Sequence, residues 1–201
     1  APISWHVTVS HLFCPPPPAV RRGGGGGGGG QRAALGLPND SVVAIHVARL
    51  NPMKDHETFL AAMRKAPQLR GLVVGAGTET LDLPRNVTAL GLRTDVDRLY
   101  RCADIVASSS AFGEGFSNAI AEGMSSGLVP VATDVGDARL IVGNTGQVVP
   151  VRDPDALAEA LVKAAECSNL EDRKSAARAR MVENFTLDRA VERFAALYDA
   201  G

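Results

Sequence analysis

The chain has 201 residues, 45% of them hydrophobic, and a formal net charge of -1, which suffices for one well-cored domain of ordinary size. Near-neutral charge excludes the basic footprint of a general nucleic-acid binder, and no apolar run reaches the roughly 18 residues of a bilayer-spanning helix. Three widely spaced cysteines (Cys14, Cys102 and Cys167) match neither a zinc site nor a disulfide framework and indicate a reducing, cytoplasmic setting.

Residues 1–37 stand apart. The start, 1-APISWHVTVSHLF-13, has no charged n-region and no clean cleavage site, so it does not read as a signal peptide. Pro15–Pro18 precede Arg21-Arg22 and eight consecutive glycines, Gly23–Gly30, which reads as an irregular segment, a stiff spacer joined to a glycine linker. No function is assigned to it. Residues 38–201 form the second unit.

Within that unit, strands are expected at 42-VVAIHV-47, 71-GLVVG-75, 87-VTAL-90, 104-DIVAS-108, 129-VPVAT-133 and 147-QVVPV-151. Helices are expected between them at about 55–66, 95–102, 117–127 and 137–142. Three more follow near 154–166, 170–183 and 187–199, the first opened by Asp153-Pro154. Alternating strands and helices, with strands that are continuously apolar, predict an α/β domain: a Rossmann-like parallel sheet with helices on both faces and a helical C-terminal extension. Ligands of such sheets bind at the carboxyl ends of the strands.

The loops at those ends are therefore the ones to search. Arg49 and Lys54, around Asn51-Pro52 after the first strand, can converge on one anion. Gly75-Ala76-Gly77 lacks the third glycine of a dinucleotide fingerprint, since position 80 is Thr, and reads as a tight turn. Asp95-Val96-Asp97 could hold a divalent metal but lies where a helix begins. There Thr94 or Asp95 caps and Asp97 favours the positive end of the dipole. In 111-AFGEGFSNAIAEGMSSG-127, Gly113 and Gly115 permit close approach to a ligand, and Ser117-Asn118 start a helix whose free N–H groups suit a phosphate. Glu114 and Glu122 flank that N-terminus, and carboxylates accept hydrogen bonds from sugar hydroxyls. The alternative for each is a solvated surface charge.

Arg49-x4-Lys54, the element from Glu114-Gly-Phe-Ser-Asn to Glu122, and 127-GLVPVATDVGD-137 together resemble the donor-binding half of the retaining glycosyltransferases of family 4, which have the GT-B fold. The resemblance runs from about Val42 to Tyr198, and 185-FTLDRAVERFAALY-198 resembles that family's closing helix. It implies that Arg49 and Lys54 hold the donor diphosphate in place of a metal. Glu114 would meet the transferred sugar, backbone N–H groups at Gly115, Phe116, Ser117 and Asn118 the sugar and phosphates, and Glu122 the ribose. Leu92 and Arg93 would lie near the base.

Glu114, Arg49 and Lys54 are thus the expected catalytic set, with no metal and no cofactor beyond a nucleotide-sugar substrate, UDP-sugar favoured. The resemblance also implies a separate N-terminal acceptor domain, absent from these residues, which supplies a catalytic histidine. The histidines here have other places: His46 in a buried strand, His56 in a first helical turn, His6 and His11 in the irregular segment. One departure is Gly127-Leu128-Val129-Pro130-Val131, whose proline stands one place late. The fragment is expected to bind donor without useful turnover, and peripheral membrane association of the intact enzyme stays open. A GT-B nucleotide-sugar epimerase half, a dinucleotide-binding oxidoreductase domain and a non-catalytic binding module are the alternatives.

Overall fold

A computed structural model describes residues 28–166 and 168–186, with 188, 189, 191, 195 and 196 beyond. Its elements in chain order are α1 (Gly28–Ala34), β1 (Val43–Val47), α2 (His56–Lys65), β2 (Arg70–Val74), β3 (Val87–Ala89), α3 (Val96–Tyr100), β4 (Ile105–Ser108), α4 (Asn118–Ser125), β5 (Val129–Thr133), α5 (Ala138–Val142), β6 (Gln147–Val149), α6 (Pro154–Ala165) and α7 (Leu170–Asn184). The six strands form one sheet in the order β3-β2-β1-β4-β5-β6, and every neighbouring pair is parallel.

Each central strand is apolar at consecutive positions because successive side chains enter different cores. Val43 and Ile45 of β1, Leu72 and Val74 of β2 and Val106 of β4 face α3, α4, α5 and α7, meeting Leu99, Ile120, Met124, Ile141 and Met181. Ala44, Val73, Ile105, Ala107, Val129 and Val131 face α2 and α6, meeting Phe59, Met63, Leu157 and Leu161. The expected strands and the helices through α7 are present with ends moved by at most two residues. The expected helix at 187–199 lies largely outside the described residues.

Two positions explain departures from simple expectation. Pro130 sits inside β5 because the Val129 N–H donates to Asp104 O, so the next residue's N–H direction faces β6. Pairing with β6 begins only at Val131 opposite Gln147, and the absent N–H costs no ladder bond. The second departure is the irregular segment, which ends sooner than residue 37. Helix α1 starts within the glycine run, where intrinsic propensity opposes it, and is tied down by Arg32. That guanidinium donates to Cys102 O at 3.0 Å, Asp104 Oδ2 at 2.8 Å, Asn39 O at 3.1 Å and Ser41 O at 3.2 Å. Asp104 also accepts from the Val43 N–H at 3.1 Å and from Lys174 Nζ of α7 at 3.3 Å. One buried carboxylate therefore fastens α1, β1 and α7 together at the start of β4.

Candidate functional site

The strand order reverses direction between β1 and β4, so the loops leaving their carboxyl ends diverge around a crevice. Both basic and acidic sequence elements lead into it. After β1 the chain is pinned to the end of β2 by Ala48 N to Val74 O and Leu50 N to Ala76 O, each 2.8 Å. Gly75 is required there: at φ +146, a Cβ would lie 2.1 Å from Ala48 O. The Gly75–Gly77 turn expected from sequence is present, with Gly77 also at positive φ. Asn51 caps a short 3₁₀ turn, Pro52–Lys54, by accepting from Met53 N. Asp55, left-handed at φ 45, then caps α2 by accepting from Thr58 N.

Lys54 leaves the end of that turn and forms an ion pair with Glu114 Oε1. The Ser110 hydroxyl donates to the same oxygen at 2.7 Å. The lysine side chain is 21% exposed and the glutamate 11%, so the pair is screened less than a surface pair. Lys54 and Glu114, expected on different parts of one ligand, meet each other directly. Arg49, two residues beyond β1, is exposed and makes no ion pair among the described residues.

The loop after β4 is shaped from below. Ser110 O accepts from Thr133 Oγ1 at 2.6 Å, and Gly115 O accepts from Asp137 N at 3.2 Å. Gly136, at φ +57, passes so near that a Cβ would lie 2.4 Å from Glu114 O. Phe116 packs on Phe185, centroids 5.6 Å apart. Gly115 is open, with nothing near the position of a Cβ. Ser117 holds the N-cap of α4 with extended backbone, and its side chain makes no capping bond. The first N–H groups of α4 are therefore unclaimed by the serine oxygen, an arrangement suited to an anion.

Glu122 lies in the second turn of α4, its Oε2 3.4 Å from the Tyr100 hydroxyl, which also donates to Ala119 O at 3.1 Å. Burial, and then the Glu122 carboxylate, push the Tyr100 phenol well above its ordinary range, so it keeps its proton for donation. Leu92 is 76% exposed. Arg93 forms a two-pronged pair with Asp95 at 2.8 Å per contact. Asp95 holds the N-cap position of α3, as sequence suggested, yet its side chain makes no capping bond; the guanidinium has claimed it. Asp97 pairs with Arg101 at 3.1 Å. Both acids of the D-x-D triplet thus face arginines.

Sequence reasoning singled out neither Ser110, Tyr100 nor Gly136. The serine run 108–110 was a visible signal, whereas Tyr100 reaches Glu122 only through the packing of α3 on α4. The two described histidines are core groups. The His46 and His56 rings lie tilted against each other with centroids 4.7 Å apart, and His46 meets Phe59 at 5.0 Å. Burial above all, with neighbouring positive charge from His56 and Lys54, holds His46 well below the ordinary value of 6.5. Burial likewise lowers His56.

Both rings must gain a proton on unfolding in acid, so the unfolded chain binds more protons below about pH 6.5. Stability is therefore fully present above that value and falls as pH drops through it. Urea midpoints measured between about pH 7.5 and about pH 5.5 should decline, and Phe at position 46 should flatten the decline.

The fold has counterparts among known proteins. Over 84% of this chain and 41% of its partner, the sequence is 29% identical to D-inositol 3-phosphate glycosyltransferase of Streptomyces griseus; the chain thus spans about two fifths of that relative. The crystal structure of Anabaena HepE in complex with UDP superposes with TM-score 0.75 at 25% identity, over 86% of this chain and 52% of HepE. The C-terminal domain of a glycosyl transferase group 1 family protein (LpcC) from Francisella tularensis superposes with TM-score 0.66 at 21% identity, over 79% of this chain and 92% of that domain. The family profile described as glycosyl transferases group 1 matches residues 41–167, which include both crevice loops, and the chain belongs to that family.

Proposed function

We propose that this chain is the donor-binding half of a retaining, metal-independent glycosyltransferase, with a nucleoside-diphosphate sugar as donor and UDP as the favoured nucleotide. The observation that carries this is the meeting, at the β1/β4 switch point, of the Arg49–Lys54 loop, Glu114 and the open N-terminus of α4, with Glu122 one turn further on. Cations and helix N–H groups offer a place for diphosphate, and the two carboxylates offer one acceptor site for each sugar. UDP is favoured because HepE, 25% identical, was crystallised with it.

In the intact enzyme, cleavage of the sugar–phosphate bond leaves negative charge on the departing diphosphate. Arg49, Lys54 and the α4 N-terminus stabilise that charge as it develops. Glu114 orients the sugar and stabilises positive character at its anomeric carbon. An acceptor-binding domain completes the site, and this chain alone binds donor without enzyme-like turnover.

Calorimetric titration with UDP, GDP, ADP and NAD, with and without Mg²⁺, tests the proposal. The expected result is Mg²⁺-independent binding of one nucleoside diphosphate, weakened about tenfold or more in Arg49→Ala and in Glu122→Ala. Preferential NAD binding, or binding that needs Mg²⁺, would overturn it.

A further inference from the structure

The run Ser108-Ser109-Ser110 ends β4, and its members do different things. Ser110 donates to Glu114. Ser109 turns the other way and is fully buried. Its Oγ lies 3.0 Å from Lys54 O and 2.8 Å from Asp55 O, with His46 Nε2 3.0 Å away on its far side. Two residues on, a third bond joins the same turn, Ala111 N to Met53 O at 2.9 Å. Three successive carbonyls of the β1 loop, at Met53, Lys54 and Asp55, are thus held by residues 109–111. They belong to the turn that ends in left-handed Asp55 and from which Lys54 reaches Glu114.

A proton count fixes the direction of the chain of bonds. Ser109 has one hydroxyl proton, and a carbonyl can only accept, so that proton goes to the Lys54–Asp55 carbonyls. Ser109 must then accept from His46, which requires a proton on Nε2. Among the described residues His46 Nδ1 has no hydrogen-bond partner, as suits the bare nitrogen of a neutral ring in an apolar setting.

We propose that Ser109, with its hydroxyl directed by the Nε2–H tautomer of His46, is the positioning residue for Lys54: it fixes the backbone from which the ammonium reaches the sugar-side phosphate of the donor. This rests on the function proposed above. Lys54 is placed at the sugar-side phosphate because it pairs with Glu114, the carboxylate proposed to meet the transferred sugar. A nucleoside monophosphate lacks that phosphate and should be indifferent to the network.

The test titrates wild type, Ser109→Ala, His46→Leu and His46→Gln with UDP and with UMP, and records the ¹⁵N shifts of His46 in the wild type. Ser109→Ala and His46→Leu should lose about tenfold in UDP affinity and less than about twofold in UMP affinity. His46→Gln should keep the wild-type ratio, because its amide N–H can replace the Nε2 donor. The neutral His46 ring should carry its proton on Nε2, a readout that needs no variant to fold. An Nδ1–H tautomer overturns the proposal. So does an equal loss of UDP and UMP affinity in Ser109→Ala, as general loosening would give, or no loss at all. Wild-type protein that binds no nucleoside diphosphate overturns the donor assignment and this proposal with it, whereas tight wild-type UDP binding with an unchanged UDP-to-UMP ratio in Ser109→Ala overturns this proposal alone.

Discussion

Lys54→Ala is expected to bind UDP about a hundredfold more weakly than the wild type, and Lys54→Ala/Glu114→Gln to recover about a factor of five of that loss. Two effects act in the single variant. A charge-assisted hydrogen bond to phosphate contributes about 1.5–3 kcal/mol. The Glu114 side chain, 11% exposed, is also left with no cation beside it among the described residues, held by Ser110 at the edge of the proposed phosphate site. Its repulsion of a diphosphate adds about 1 kcal/mol through a partly shielded medium. At about 1.4 kcal/mol per decade, the sum is two decades.

Gln at 114 keeps an acceptor for Ser110 and removes the repulsion, which is the part that should return. Calorimetry at one fixed ionic strength measures both steps, since salt would mask the second. Unchanged affinity in Lys54→Ala would place the phosphate elsewhere, and a double variant no better than the single would mean that Glu114 does not face the ligand's charge.

The second large effect concerns stability. Asp104→Ala should lose about 3 kcal/mol and Asp104→Asn noticeably less. The carboxylate side chain is 6% exposed and meets Arg32 and Lys174, themselves 15% and 21% exposed. Among the described residues, deleting the carboxylate leaves Arg32 with carbonyl acceptors alone and Lys174 with only the more distant Glu171, at 3.6 Å, and removing one member of a shielded charge cluster is the situation in which single substitutions cost most. Asn keeps an oxygen for the Val43 N–H and for Arg32 while giving up the charge. For a domain of this size the alanine change corresponds to a fall of about 1 M in the urea midpoint. A midpoint within error of wild type would mean that these bonds add nothing beyond what water supplies. Donor affinity of Asp104→Asn should match wild type, because the substitution lies at the opposite end of β4 from the crevice.

The layout of the sheet was legible because it is written in local pattern. A strand buried on both faces must be apolar at consecutive positions, so 43–47, 70–74 and 129–133 stand out without knowledge of their partners. Asp153-Pro154 marks α6 for an equally local reason, Asp153 accepting from Ala156 N one turn on. The site was legible as a set of residue types at strand ends.

What could not be read was how those residues treat one another. Lys54 and Glu114 are 60 positions apart and meet only because β1 and β4 are neighbours. Asp95 occupies a cap position, but Arg93 draws its carboxylate away. Helix α1 was invisible for a different reason: glycine carries no helical signal, and the tie that holds the helix, Arg32 to Asp104, spans 72 positions.

Strand β4 has one further consequence. Its first residues border the Asp104 cluster, and its last, Ser108, leads into Ser109, Ser110 and Glu114. About 13 Å of strand lies between. What keeps the chain folded and what would select a ligand are therefore carried by one short rod but fixed at its two ends. Substitutions in 49–54 or 111–118 can vary the chemistry without loosening the fastening, so a lineage, or a directed-evolution library confined to those two windows, can search for new donors from a foundation that stays put.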